Sequence, residues 1–145
     1  MKAIRHFGIV VSDLEASLHF YGDLLGLSVK RDMVEEGEFV DAILGLKNVK
    51  VRTVKMKAEN GDTLVELLEY QSHKGKRRED YRIFDLGASH IAFTVEDTDA
   101  EYERLKKEGV SFICAPQVSP DGKAKVTFCV DPDGVPIELV QELTV

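Results

Sequence analysis

The chain has 145 residues, of which 43% are hydrophobic and 31% charged, with 26 acidic against 19 basic side chains and a net charge of −7. Such proportions fit one globular domain, or two tightly joined half-domains of about 70 residues each, and exclude a disordered chain. The acidic balance argues against nucleic acid, and no run reaches the roughly 18 to 20 apolar residues of a membrane span, so neither is expected as a partner.

The elements follow in chain order. HFGIVVSDLE opens as a strand: its apolar run is broken by His6 and Gly8 and stopped by Ser12 and Asp13, so it does not read as a signal peptide. Two cysteines without a CxxC pattern, Cys114 and Cys129, read as free thiols, and a cytoplasmic protein is expected. A helix follows, with Leu14, Leu18, Tyr21 and Leu25 on one face and Gly26 as its stop; Ser12 and Glu15 form a capping-box pattern, with Asp13 as rival N-cap. LSVKRD reads as a strand, EFVDAILGL as a strand or a short helical turn, then VKVRTVKMK and TLVELLEY as strands around the turn Glu59-Asn60-Gly61-Asp62. A polar, mostly basic connector runs from Ser72 to Gly87. Beyond it, HIAFTVED is a strand, the helix from Thr98 ends at Gly109, and VSFICAP, KAKVTFCV and PIELVQEL are strands.

The chain therefore states one pattern twice, each time βαβββ, giving an α+β fold of two modules: about 1–71 and about 88–145, joined by 72–87. Each module begins with a histidine (His6, His90), reaches an aspartate seven residues on (Asp13, Asp97), and ends in a strand with a central glutamate, Val65-Glu66-Leu67 or Ile137-Glu138-Leu139. Strand side chains alternate between faces. Phe7, Ile9 and Val11, or Ile91, Phe93 and Val95, pack on the helices. His6, Gly8 and Val10, or His90, Ala92 and Thr94, lie opposite. Glu66 and Glu138 fall on that same second face.

A charge buried in an apolar strand costs several kcal/mol, roughly, unless it is compensated. Two imidazoles and two carboxylates are a donor set for one divalent ion such as Zn, Ni, Co, Mn or Fe, with the two carboxylates matching its charge. His6, Glu66, His90 and Glu138 are thus the candidate metal ligands, with room left for a small-molecule substrate. Lys74, Lys76, Arg77 and Arg78 offer a contact for an anionic tail, although a solvated charge run is the simpler reading. Arg52 and Tyr70 are further pocket candidates, while His19 and His73 read as structural.

At these residues the sequence resembles the vicinal oxygen chelate superfamily, which holds glyoxalase I, methylmalonyl-CoA epimerase, extradiol dioxygenases and bleomycin resistance proteins. The resemblance rests on HFGIVVSDLEASLHFYGDLLGL, LVELLEY, GASHIAFTVEDTDAEYERLKKEGV and DPDGVPIELVQE. It implies sheets that curl around a metal site held by His6, Glu66, His90 and Glu138, and four ligands with two glutamates are most similar to glyoxalase I. The implied activity is that of a lyase or isomerase which polarises a carbonyl or vicinal oxygens and shuttles a proton through an enediolate or enolate. By the same resemblance Glu138 is the general base, with Glu66 acting opposite it or remaining a ligand, and a homodimer is expected. The alternatives are an epimerase-like or dioxygenase-like enzyme and a non-catalytic protein that binds a drug or metabolite.

Overall fold

A computed structural model describes residues 1–77, 82–87 and 90–143. The chain divides into two units, Met1–Arg77 and Arg78–Val145. In the first, β1 (His6–Val10), α1 (Leu14–Leu18), β2 (Ser28–Glu36), α2 (Glu38–Leu44), β3 (Lys50–Lys57) and β4 (Leu64–Tyr70) form a sheet ordered β1-β4-β3-β2. In the second, β5 (Ile91–Thr94), α3 (Thr98–Lys107), β6 (Gln117–Val118), β7 (Ala124–Val130) and β8 (Pro136–Glu142) form a sheet ordered β5-β8-β7-β6. Each sheet is mixed: the first strand runs parallel to the last, and the remaining pairs are antiparallel. No helix among the described residues is long and apolar enough to cross a membrane.

The same local chemistry starts both first helices. Asp13 and Asp97 have extended backbones, and their carboxylates accept from Ala16 N and Ala100 N, each at 3.0 Å. Asp13, rather than Ser12, is therefore the N-cap of α1, and Asp97 is that of α3. Thr98 is the first helical residue, fully buried, and its hydroxyl donates to Lys125 O. A second free amide at each helix start is taken by the last strand: Leu14 N donates to Glu69 Oε1 and Thr98 N to Gln141 Oε1, both at 3.1 Å. Glu69 and Gln141 each stand three residues after the strand's central glutamate, on the helix-facing side.

Two elements differ from expectation. The first helix is α-helical only to Leu18 and continues as a π-helix over His19–Leu24. The wider turn buries Phe20 and Tyr21 together, edge to face at 5.0 Å, and leaves Leu18 and Leu25 only half-buried. VSFICAP is not a strand; its one bridge joins Phe112 to Cys129, and the sheet gains its edge only at β6. Main-chain bonds run from Val130 N to Ser111 O and from Ile113 N to Phe128 O, but beyond them Cys114 O accepts from Thr127 Oγ1 at 2.7 Å, and Pro116 has no amide to offer. The ambiguous EFVDAILGL settles as α2, ended by Gly45 at φ 65°, with Asp41 accepting from Asn48 N and Val49 N.

Each unit has buried apolar residues on the helix-facing side of its sheet. Ile9, Leu14, Tyr21, Val54, Met56 and Leu67 are buried in the first; Leu105, Cys129, Ile137 and Leu139 are buried in the second. Asp97→Ala, which removes a cap, is expected to lower the unfolding free energy by about 1 kcal/mol in urea melts. Burial pushes the Cys129 thiol up from 9.0 to about 12. The folded state thus keeps a proton that the unfolded chain loses, so stability is fully present below pH 9 and declines as pH rises from there toward 12. Urea midpoints taken across that range are expected to fall less steeply in Cys129→Ala than in the parent chain.

Candidate metal centre

The parallel strand pairs place the candidate ligands. In the first unit Gly8 of β1 is the direct partner of Glu66 on β4. His6 stands two residues earlier on the same face, and its Nε2 reaches Glu66 Oε2 at 3.2 Å. In the second unit Ala92 of β5 is the partner of Glu138 on β8, and His90 Nε2 lies 3.1 Å from Glu138 Oε2. The small residue between histidine and glutamate keeps the space open: a Cβ at Gly8 would lie 3.9 Å from Glu66 Oε2 and 3.3 Å from Leu68 Cδ1. The buried neighbours Val65, Leu67, Ile137 and Leu139 face the helices, as alternation requires.

These separations suit a divalent ion. Ligands 2.0–2.2 Å from one ion, at tetrahedral or octahedral angles, lie about 3.0–3.5 Å from one another. Each His–Glu pair has that spacing, with the glutamates deep (side chains 11% and 21% exposed) and the histidines more open (35% and 46%). Either pair alone offers two ligands, and among the described residues no group of three or more His, Cys, Asp or Glu gathers to hold an ion. A four-ligand set therefore needs both pairs.

The surroundings of the two glutamates differ. The β3 residue opposite Glu66 is Lys55, whose Nζ lies 3.2 Å from Glu66 Oε1. The β7 residue opposite Glu138 is Phe128, whose ring packs edge-on against His90 at 5.5 Å. Glu66, 8% exposed, thus has both carboxylate oxygens engaged. Removing one member of a buried ion pair costs about 3–5 kcal/mol, so Lys55 and His6 are what make this burial tolerable. Lys55 was not foreseen: it lies in a strand of alternating cations, VKVRTVKMK, and only the register singles it out.

Other candidates leave the site. Arg52 points to the helix side, where it binds Asp32 at 2.7 Å and Glu15 at 2.7 Å and holds the Asp32 carboxyl below its ordinary value. Tyr70 packs with Leu68 against the cluster Val40, Val49 and Val51, by which α2 covers one end of the ligand-bearing face. His19 pairs with Asp23 on the surface, and His73 with Ser72. Lys74, Lys76 and Arg77 are exposed; Arg78 lies outside the described residues.

The duplicated four-stranded sheet defines the glyoxalase-like class of α+β folds. Residues 3–139 match the family described as the Glyoxalase/Bleomycin resistance protein/Dioxygenase superfamily, and the chain belongs to it. The chain is 29% identical over 144 residues to the uncharacterised protein YaeR of Escherichia coli, covering 98% of each. It is 31% identical over 141 residues to a probable lactoylglutathione lyase of Synechocystis, covering 95% of this chain and 94% of that one. Among solved structures it is similar to a glyoxalase family protein from Bacillus cereus, with a TM-score of 0.88, 25% identity and coverage of 99% and 96%.

The glycine opposite Glu66 supplies a direct test. Gly8→Ala, which copies Ala92, is expected to leave divalent-ion binding unchanged. Gly8→Val is expected to reduce it by about tenfold or more through pressure on Leu68 and Glu66, read by calorimetric titration with Zn or Ni.

Proposed function

We propose that the chain is a metal-dependent isomerase or lyase of the glyoxalase I type, acting on a small molecule with a carbonyl or two vicinal oxygens. The observation that carries this reading is the repeated register: a histidine, a small residue and a glutamate on the last strand, with imidazole–carboxylate gaps of 3.2 and 3.1 Å. His6, Glu66, His90 and Glu138 would hold the ion, which when bound polarises the substrate oxygen and makes the adjacent C–H acidic. The four-ligand set is completed either within a chain or between two copies, and a homodimer is part of the proposal. The relatives named as lactoylglutathione lyases support the reaction class.

Within that class, Glu138 is the proton carrier. Glu66 is held on its second oxygen by Lys55, whereas the β7 residue opposite Glu138 is the apolar Phe128, and among the described residues no ammonium pairs with Glu138. A carboxylate without a competing cation is the better base, because proton transfer from carbon requires its lone pair free; the role therefore requires Glu138 to loosen from the ion when substrate binds. Glu138 removes the proton from the carbon beside the polarised oxygen and returns it to the neighbouring carbon. Glu66 stays in place as ligand.

The test is elemental analysis followed by solvent-deuterium exchange on methylglyoxal plus thiols and on acyl-CoA epimers. The parent chain is expected to hold one divalent ion and catalyse exchange. Glu138→Gln is expected to keep the ion and lose exchange by at least about a hundredfold, the usual size of a general-base contribution. Unchanged exchange in that variant removes Glu138 from the role. A sample without stoichiometric metal, and insensitive to chelator, points to the binding-protein alternative.

A further inference from the structure

The first unit carries a row of four partnered residues across its sheet: Gly8 on β1, Glu66 on β4, Lys55 on β3 and Arg31 on β2. Residues directly opposite on antiparallel strands project from the same face, so Lys55 and Arg31 both belong to the face of Glu66. Two like charges directly opposite each other are unfavourable unless an anion lies near. Lys55 Nζ lies 3.2 Å from Glu66 Oε1, and among the described residues Arg31 has no ion-pair partner. The register slips by one between Val29 and Arg31, the irregularity that sets Arg31 rather than its neighbour against Lys55. The equivalent row of the second unit, Ala92, Glu138 and Phe128, has no cation.

Charge on this face changes if the proposed ion binds. Its two positive charges are matched by Glu66 and Glu138, so Lys55, although still beside Glu66 Oε1, adds positive charge that no ligand carboxylate balances. The other charged groups on the face do not replace it. Lys57 pairs with Asp62 at 3.4 Å, and Glu35, at the far end of β2, accepts from Thr53 Oγ1 at 3.0 Å. The loaded face is left with a net positive charge beside the ligand positions. Lys55 has a side chain only 25% exposed, where screening by water is reduced.

From this we infer that the substrate is an anion: Lys55, assisted by Arg31, binds the acid group of a 2-oxo or 2-hydroxy acid, whose carboxylate supplies one of the two vicinal oxygens and presents its other oxygen to the ammonium. The inference rests on the four-ligand reading of the site. Lys55 is then a specificity-determining residue: its ammonium stays beside Glu66 Oε1 and offers its remaining N–H donors to the substrate's carboxylate. A neutral substrate of the same shape leaves the added positive charge of the face unmatched and binds more weakly.

Pyruvate and hydroxyacetone provide matched probes, since both present two vicinal oxygens and only pyruvate carries a charge. The full-length protein is loaded with Mn, its affinity for the ion is measured by electron paramagnetic resonance, and binding of each probe is followed by water-proton relaxation. The parent chain is expected to prefer pyruvate. Lys55→Met is expected to bind Mn at least as tightly, because a nearby cation is removed, while its pyruvate-to-hydroxyacetone preference falls by about tenfold. Lys55→Arg is expected to retain most of the preference, and Arg31→Met, on the exposed edge strand, to lose a smaller part of it. A preference unchanged in Lys55→Met and Arg31→Met, with Mn bound, overturns the inference and leaves Lys55 as a counter-ion to Glu66 alone. Failure of the parent chain to bind Mn overturns the four-ligand reading and this inference with it. Should Lys55→Met not fold, the Arg31→Met and Lys55→Arg preferences decide the matter in the same way.

Discussion

The arrangement of both units depends on one constraint, the parallel pairing of the first strand with the last. A parallel pair cannot be closed by a tight turn, so the chain must leave the sheet, form a helix and further strands, and return. That detour creates the two-sided sheet, with a helix on one side and the other side left for ligands. The pairing also fixes chemistry, because it sets a residue two positions after the histidine directly against the glutamate. Only a small side chain at that point, Gly8 or Ala92, lets the imidazole lean over and meet the carboxylate.

The helix side shows how the same register is secured energetically. Asp13 and Asp97 cap their helices, while Glu69 and Gln141 reach across from the returning strand to take the next free amide. Helix start and last strand are thereby tied at a point three residues from the central glutamate. A slip of one residue in β4 or β8 would break that tie and turn the glutamate into the core, where Val65 and Leu67, or Ile137 and Leu139, now pack. Position of the candidate ligands and stability of the core are consequences of one pairing.

Much of this was legible in the chain because the signal was repeated. Period-2 alternation assigned His6, Glu66, His90 and Glu138 to one face, and the second copy separated a pattern from a coincidence. What escaped were features with no periodic signature. The π-helical turn after Leu18 depends on Phe20 and Tyr21 packing together, a tertiary preference that a 3.6-residue template does not register. VSFICAP has the composition of a strand, yet its carbonyl at Cys114 is met by the Thr127 hydroxyl, which no composition reveals. Arg52 was a pocket candidate until the structure paired it with Asp32 and Glu15 on the helix side.

Lys55 is the most instructive of these cases. By sequence it is one cation among several in β3, and alternation alone puts Lys55 and Lys57 on one face and Arg52 on the other. Pairing register then distinguishes them: Lys57 reaches the turn acid Asp62, Arg52 meets acids from β2 and α1, and Lys55 stands against Glu66. Repetition made the two modules look equivalent, and the residues opposite the two glutamates, Lys55 and Phe128, are where equivalence ends. A duplicated fold that is symmetric in its ligands and asymmetric in the residues around them can give its two carboxylates different work. One has an ammonium at 3.2 Å, and the other has an apolar residue opposite it in the register. In the proposed reaction the division of roles between the two glutamates comes from the strand beside them rather than from the glutamates themselves.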